Sequence, residues 1–580
     1  MPLAPITIPP GVVKTATPLQ VKGRYWDANL VRWRSNKLLP VGGWQRITQT
    51  PLASVPRALF TWTTNSGTHL TLIGCGDKLY SLEGSTYTDI TPTGFIGEET
   101  NQVGGYGAWN YGAELYGDDT DATYPRPTSA YYIPPFSWTF DNWGGDALAV
   151  ASSDGRLLHF QEGETKAHTV GYSDISTAVR TANVVTITTL NHHGFSVGQS
   201  VVISGTSISS MNGTFTVTTV PNDHEFTYSN SGTNASGTGG IASSIAADLP
   251  PLNNRGVIVT QERHAVLIGA GGNNRRVAWS DSEDYTNWDF ASTTNTAGYL
   301  DIDSASGMVM CAAVREGTLI WTEDEVWLLR YIGLPYIYAI ERVGFSCGLI
   351  APKSFATFAG RCIWMGKEGF WLYDGGVVKP LPCDVGSFVF DNIDRDSGVL
   401  YTHGTDNSIF PEVWFWYPSQ GEDTPNRYVC YNYSESWWSI GEMARTASQG
   451  AGVYQYPMTG DNSGDLYFQE NGWTAAGVAI TTARYAETSS INVTNGSALA
   501  HVKQTITDSG YGYASTQLTY YSSFTPEGEE YTSGPFNPRS NGYCDTRVTG
   551  RDFRVKIAST QDAEWSIGEM RVDLTSGGGR

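Results

Sequence analysis

Thr318 to Leu329 reads TLIWTEDEVWLL, and Arg361 to Tyr373 reads RCIWMGKEGFWLY. In each, two short apolar and aromatic runs flank a polar or glycine-bearing turn, the pattern of a tight antiparallel hairpin. Leu70 to Tyr80 (LTLIGCGDKLY) and Ala147 to Phe160 (ALAVASSDGRLLHF) repeat it, and Gly464 to Phe468 (GDLYF) is a fainter copy. Helical periodicity is almost absent, and period-two alternation continues in Val201-Val202-Ile203, Thr214 to Thr219 and Arg554 to Ile557. Irregularly spaced hairpins over so long a stretch predict an all-β chain with the blades of a β-propeller at its core, though a stack of sandwiches would leave a similar trace.

Composition narrows the class further. The 580 residues carry 36 Lys+Arg against 57 Asp+Glu, a formal charge of −21, with 12% aromatic and only 16% charged residues. Nineteen Trp, 32 Tyr and 21 Phe exclude a disordered solvating chain. The low charged fraction excludes a long coiled coil, and the acidic excess argues against a protein that grips duplex DNA. Seven scattered cysteines never form C-x-x-C, so buried free thiols in a reducing compartment are expected. Met1-Pro2-Leu3-Ala4-Pro5 has neither the basic start nor the apolar stretch of a signal peptide, and no run is long enough to span a bilayer.

Three stretches break the hairpin pattern. Val103 to Pro135 is a long Tyr/Gly-rich loop holding Asp118, Asp119 and Asp121. Residues from about His168 to Ser244 are rich in Thr, Ser, Val and Gly without Trp. They read as a small inserted β domain whose Gly/Ser-rich exit, Ser229 to Gly240, is a linker. From about Ile491 the chain alternates again and reads as a separate antiparallel module. The expected organisation is an N-terminal arm (1–47), a first propeller portion (48–167), the insert (168–248), a second propeller portion (249–490) and a C-terminal β module (491–580).

Motifs for chemistry are weak. Gly344-Phe345-Ser346-Cys347-Gly348 matches the G-x-S-x-G nucleophile elbow, but Pro352 and the alternating Ser354 to Phe358 replace the helix that an elbow needs. WSDSEDYTNW (Trp279 to Trp288) is similar to the bracing Asp-box turns of sialidase propellers, with Thr286 where a Gly is expected. His192, His193 and His224 could ligate a metal, but their turn-like setting favours exposed loop histidines. Glu323-Asp324-Glu325 and Glu527 to Glu530 read as solvated turns, the first at a hairpin tip. Walker A, Rossmann and H-E-x-x-H motifs are absent. No catalytic, cofactor-binding or metal-binding residue is assigned, and no enzyme activity is expected.

The most specific stretch is Gly23 to Ile47, GRYWDANLVRWRSNKLLPVGGWQRI, with its Trp-Asp pair, Arg32-Trp33-Arg34 and Gly42-Gly43-Trp44. It resembles the amino-terminal segment of tail nozzle proteins of short-tailed bacteriophages, also described as tail tubular or DNA-stabilising tail-hub proteins. Gly105 to Tyr124, WTFDNWGGD (Trp138 to Asp146), WSDSEDYTNW, GFSCGLIAPKS (Gly344 to Ser354) and WSIGEMRVD (Trp565 to Asp573) extend the resemblance in order, leaving out the insert. The resemblance implies a virion structural protein, made in the host cytoplasm, that forms a homohexameric ring of propeller subunits. That ring docks to adaptor and portal-proximal proteins, adjoins tail fibres or spikes, and closes and then conducts the viral double-stranded DNA.

The physical reading is compatible. Arg outnumbers Lys 26 to 10, and its planar fork suits buried interface pairing, although codon bias would give the same excess. A conduit should not hold its cargo, and an acidic lining repels the phosphates that basic residues would grip. Asp118, Asp119 and Asp121 are the candidate channel-lining residues. The alternative is a propeller-type carbohydrate-binding or glycan-degrading receptor-binding tail protein. A secreted glycan-binding propeller fits the cysteines and the N-terminus less well.

Overall fold

Every hairpin expected from the sequence is present, and each belongs to a four-stranded antiparallel sheet in which successive strands are neighbours, with one strand of the last sheet supplied from the N-terminal arm. The computed structural model describes residues 3–17, 20–98, 136–395, 398–491, 498–511, 515–525 and 528–577. Among them are seven such sheets, the blades of a β-propeller fold. Blade 1 runs from Pro56–Thr63 to Thr86–Asp89, blade 2 from Trp138–Trp143 to His168–Thr169, and blade 3 from Gly256–Val259 to Gly298–Asp301. Blade 4 runs from Met308–Val314 to Ile337–Gly344, blade 5 from Phe355–Phe358 to Val378–Leu381, and blade 6 from His403–Asn407 to Trp437–Glu442. Blade 7 has three consecutive strands, Ala447–Gln449, Met458–Gly460 and Leu466–Gln469. Its fourth, Trp44–Arg46, comes from the N-terminal arm, with Phe468 opposite Gln45.

The chain divides into two compact units, residues 1–75, 80–88 and 312–580 in one and 76–79 and 89–311 in the other. In the first, blades 1 and 7 share a core of Leu52, Leu59, Ile73, Tyr80, Ala447, Met458 and Leu466. Blades 5 and 6 are continuous with a second β module through a single aromatic-rich core containing Trp33, Phe370, Trp414, Trp438, Tyr520 and Trp565. That module has two sheets. One pairs Val31–Arg34, Lys37–Pro40, Ser566–Ser576, Ala500–Tyr511 and Tyr543–Gly550, with Ala4–Ile6 added along Ser566–Ser576. The other pairs Tyr25–Asn29, Tyr485–Thr488, Asp552–Ser559, Thr516–Ser523 and Glu530–Phe536. Thr505 and Tyr520, one on each sheet, join by a buried 2.6 Å hydroxyl contact.

The expected arm and C-terminal module are therefore one body. Most of the arm's strands complete the C-terminal sheets and its last completes blade 7, a long-range exchange that local patterning cannot show. The module also begins earlier than expected, at Tyr485–Thr488, because that strand pairs with both Tyr25–Asn29 and Asp552–Ser559.

In the second unit, the insert spans strands Tyr172–Thr181 to Ile241–Ser244 and closes on itself, since Tyr172–Thr181 pairs with both Val184–Thr189 and Ile241–Ser244. Its core (Ile175, Val185, Ile187, Phe195, Val201, Met211, Phe226 and Tyr228) is its own. Two expectations change. His168–Thr169 is the last strand of blade 2, so the insert starts after it. Ser229 to Gly240 is no linker, because Ala235–Thr238 pairs with Thr177 to Arg180. A Cβ on Gly237 would lie 2.9 Å from Ile208 Cγ1, so a small residue there serves packing rather than flexibility. Six of the seven cysteines are buried and none is in a disulfide, as expected.

Candidate functional site

The segment that carries the family resemblance is a structural junction. Arg32 is 2% exposed and meets two carboxylates at once. Its Nε lies 3.1 Å from Glu412 Oε1 of blade 6, an ion contact too bent to count as a hydrogen bond. Its terminal nitrogens donate to both oxygens of Glu470, and its guanidinium lies 3.7 Å from the Phe410 ring centre. Glu470 also accepts the Gly42 N–H at 2.9 Å, and Glu412 accepts the Trp414 indole N–H at 3.0 Å. Burial pushes the Glu412 carboxyl up to about 7, with Arg32 pulling the other way. Burial is the dominant cause, and repulsion from Glu470 adds a smaller push in the same direction.

The rest of the segment is equally committed to packing. Trp33 is 1% exposed between Tyr25 and Trp437. A Cβ on Gly43 would stand 2.4 Å from the Thr474 carbonyl oxygen, so only glycine lets the two backbones approach. Arg484, fully buried, donates to the carbonyls of Val41 and Trp473 and to Asp562. Arg32, Arg180, Arg445 and Arg484 are all buried inside the chain, so part of the arginine excess serves internal networks rather than interfaces.

The motifs flagged for chemistry resolve into turns. Ser346 sits at φ 50° in a turn between two strands, where an elbow requires strand to helix. In WSDSEDYTNW, Asp281 accepts Ser282 N–H and the N–H and hydroxyl of Thr296, while Asp284 accepts the N–H and hydroxyl of Thr286. Thr286 thereby contributes a hydroxyl where glycine was expected. Glu323-Asp324-Glu325 caps the hairpin of blade 4 as expected, with Glu325 paired to Arg342 at 2.6 Å. Glu530 pairs with Arg554. Asp118, Asp119 and Asp121, and Glu527, lie outside the described residues.

Three surfaces remain as candidates. The first strands of blades 1, 5, 6 and 7 border a cavity of about 350 Å³ that holds Arg57, His403 and Asp406. The Arg57 guanidinium stacks 3.7 Å from the Tyr401 ring centre. Burial pushes His403 down to about 4 and Asp406 up to about 6, so the imidazole is neutral and the carboxyl titrates near neutrality. Such a pocket suits a small polar ligand.

Blade 4 carries the second. Its strands Val326–Gly333 and Ile337–Gly344 are eight residues each and pair through to their tip, where Tyr331, Ile332, Leu334 and Tyr336 are 43–79% exposed. Apolar residues exposed together at a hairpin tip make it a candidate protein contact.

The third joins blade 2 to the insert. His159 and His168 face each other across adjacent strands of blade 2, and His192 enters from the loop after Val184–Thr189. One ring nitrogen of each lies within 4.8 Å of the others. Tyr285, from WSDSEDYTNW, stacks on His159 at 5.3 Å. Burial pushes His192 down to about 4 and lowers His168. His192, His193 and His224, read from the sequence as exposed loop histidines rather than as a metal trio, do not come together as ligands. His193 is 4% exposed, its ring packed on Phe195 and Phe226, so it is a core residue rather than an exposed one. His159 and His168 carry no local signal, because each stands alone in its own short strand.

No family model and no curated protein matches the sequence. Among solved structures, the chain is similar to the Neurospora crassa Pan2 WD40 domain, at 9% identity over 58% of this chain and 88% of that one, TM-score 0.27. It is similar to YCF48 from Cyanidioschyzon merolae at 7% identity over 73% and 98%, TM-score 0.34. It is also similar to a phage phi92 endosialidase at 12% identity, covering 72% of this chain and 63% of that one, TM-score 0.26. Likeness at this level carries no argument about activity, and the propeller assignment rests on the strand pairing described above.

Proposed function

We propose that this chain is a structural virion protein of a short phage tail, a subunit of the nozzle ring that closes the tail channel and then conducts the genome. The observation that supports the reading most is the apolar hairpin tip of blade 4, a ready contact for a neighbouring subunit. Two features agree with it. The residues of the resembling segment, Arg32, Trp33, Gly42 and Gly43, weld the termini to blades 6 and 7, as a ring subunit under mechanical load requires. The charge of −21 suits a wall along which DNA slides. Mass photometry of the purified chain, alone and with its adaptor partner, tests assembly. A species of six 63.1 kDa subunits is expected, and a monomer or trimer under both conditions overturns the reading.

A second reading, a glycan-binding or glycan-degrading receptor-binding tail protein, draws on the cavity of Arg57, His403 and Asp406. Turnover of a sialoside or capsular polysaccharide that Asp406→Asn abolishes would establish it in place of the first.

A further inference from the structure

We propose that His159, His168 and His192 bind a transition-metal ion of the Zn2+ class, which pins the inserted domain to blade 2. The ligand type is right, since neutral imidazole nitrogens are standard zinc donors. The spacing is close. Ligand atoms on a tetrahedral zinc sit about 3.3 Å apart, with bonds of about 2.0–2.1 Å. One nitrogen from each of the three rings already lies within 4.8 Å of the others. Inward movement on the order of 1 Å per ring closes the site.

The surroundings are those of a metal centre rather than of ordinary packing. The side chains of His159 and His168 are 0% and 9% exposed, and Nδ1 of His159 and of His192 is buried without a hydrogen-bond partner. Two orphaned polar nitrogens in one place are costly unless something satisfies them. Each imidazole also has its own carboxylate. Asp146 lies 3.1 Å from His159 Nε2, Glu164 lies 3.5 Å from His168 Nδ1, and Asp223 lies 3.9 Å from His192 Nε2. Carboxylates beside metal-bound histidines orient the rings and raise their basicity. Glu164 ties the insert loop to blade 2, its Oε1 accepting the backbone N–H of His192 at 2.8 Å while its Oε2 accepts the Gln161 N–H at 3.1 Å and faces His168, so the fourth position on the ion falls to a water. Three imidazole nitrogens suit Zn2+ better than the hard cations Mg2+ or Ca2+, which take oxygen ligands.

The arrangement joins two bodies with separate cores, so the metal would act as a staple. The test uses the full untagged chain, loaded with Zn2+, dialysed and assayed for metal, with Co2+ as a spectroscopic probe. One zinc per chain and the strong visible absorption of tetrahedral Co2+ are expected. His192→Asn, a change in the insert loop, should weaken zinc binding by at least about tenfold, and His159→Gln, a change in blade 2, should do the same. Less than a tenth of an equivalent of retained zinc overturns the proposal. So does retention unchanged in both variants, which would place the ion elsewhere. If either variant fails to fold by circular dichroism, the Co2+ spectrum of the unaltered chain decides alone, and an octahedral, weakly absorbing spectrum counts against the site.

Discussion

Arg32 concentrates the physics of the junction. Truncating it to Ala leaves Glu412 and Glu470 buried and facing each other without a cation, which should cost about 3–5 kcal/mol in urea unfolding. Arg32→Lys should recover only part, because an ammonium cannot match both oxygens of Glu470 while reaching Glu412. Glu412 makes stability depend on pH. Its carboxyl is raised to about 7 in the fold from an ordinary 4.5, so the folded chain holds this proton more tightly than the unfolded one. Its contribution is therefore fully present below about pH 4.5 and is lost as pH rises through about 7. Glu412→Gln should flatten that decline, so that the variant gains on the native chain between pH 5 and pH 8. An equal slope in both proteins would show that Glu412 does not titrate there. Gly43→Ala should cost about 1–3 kcal/mol, since its methyl would meet backbone rather than a movable side chain.

At the level of the element, the blade 4 hairpin is the piece whose chemistry is outward. Leu334→Asp with Tyr336→Asp should abolish assembly in mass photometry while shifting the monomer's unfolding by no more than about 0.5 kcal/mol, because both side chains are 75–79% exposed. A large loss of monomer stability would mean that the tip packs within the chain. The hairpins themselves were the legible part of the sequence. TLIWTEDEVWLL and RCIWMGKEGFWLY became paired strands of blades 4 and 5, because alternate apolar residues and a polar turn are local properties. What stayed hidden depends on distant partners. Nothing near Trp44 says that it will pair with Gln469, and nothing near Ala235 says that its Gly/Ser run will lie along Thr177 to Arg180. The histidine cluster was missed for the same reason. His192 stood out beside His193, but its true neighbours are 33 and 24 residues earlier in the chain, on another element.

For the whole molecule, assembly and charge are decisive. Six copies of a −21 chain would present a strongly acidic body to a polyanion, which favours passage over retention. If Asp118 and Asp119 face the conduit, Asp118→Lys with Asp119→Lys should slow genome ejection, by more at low salt than at high. An unchanged rate at both would remove that loop from the channel wall. The acidic excess that speaks against gripping duplex DNA thus says nothing against touching it in transit. The most direct measurement is single-particle imaging of the assembled tail with this chain located by its inserted domain. A nozzle subunit should appear in a six-fold ring around an open or gated axial channel, with the blade 4 tips at the contacts between subunits. A peripheral position on the tail, or a monomer or trimer without a central channel, would contradict that role.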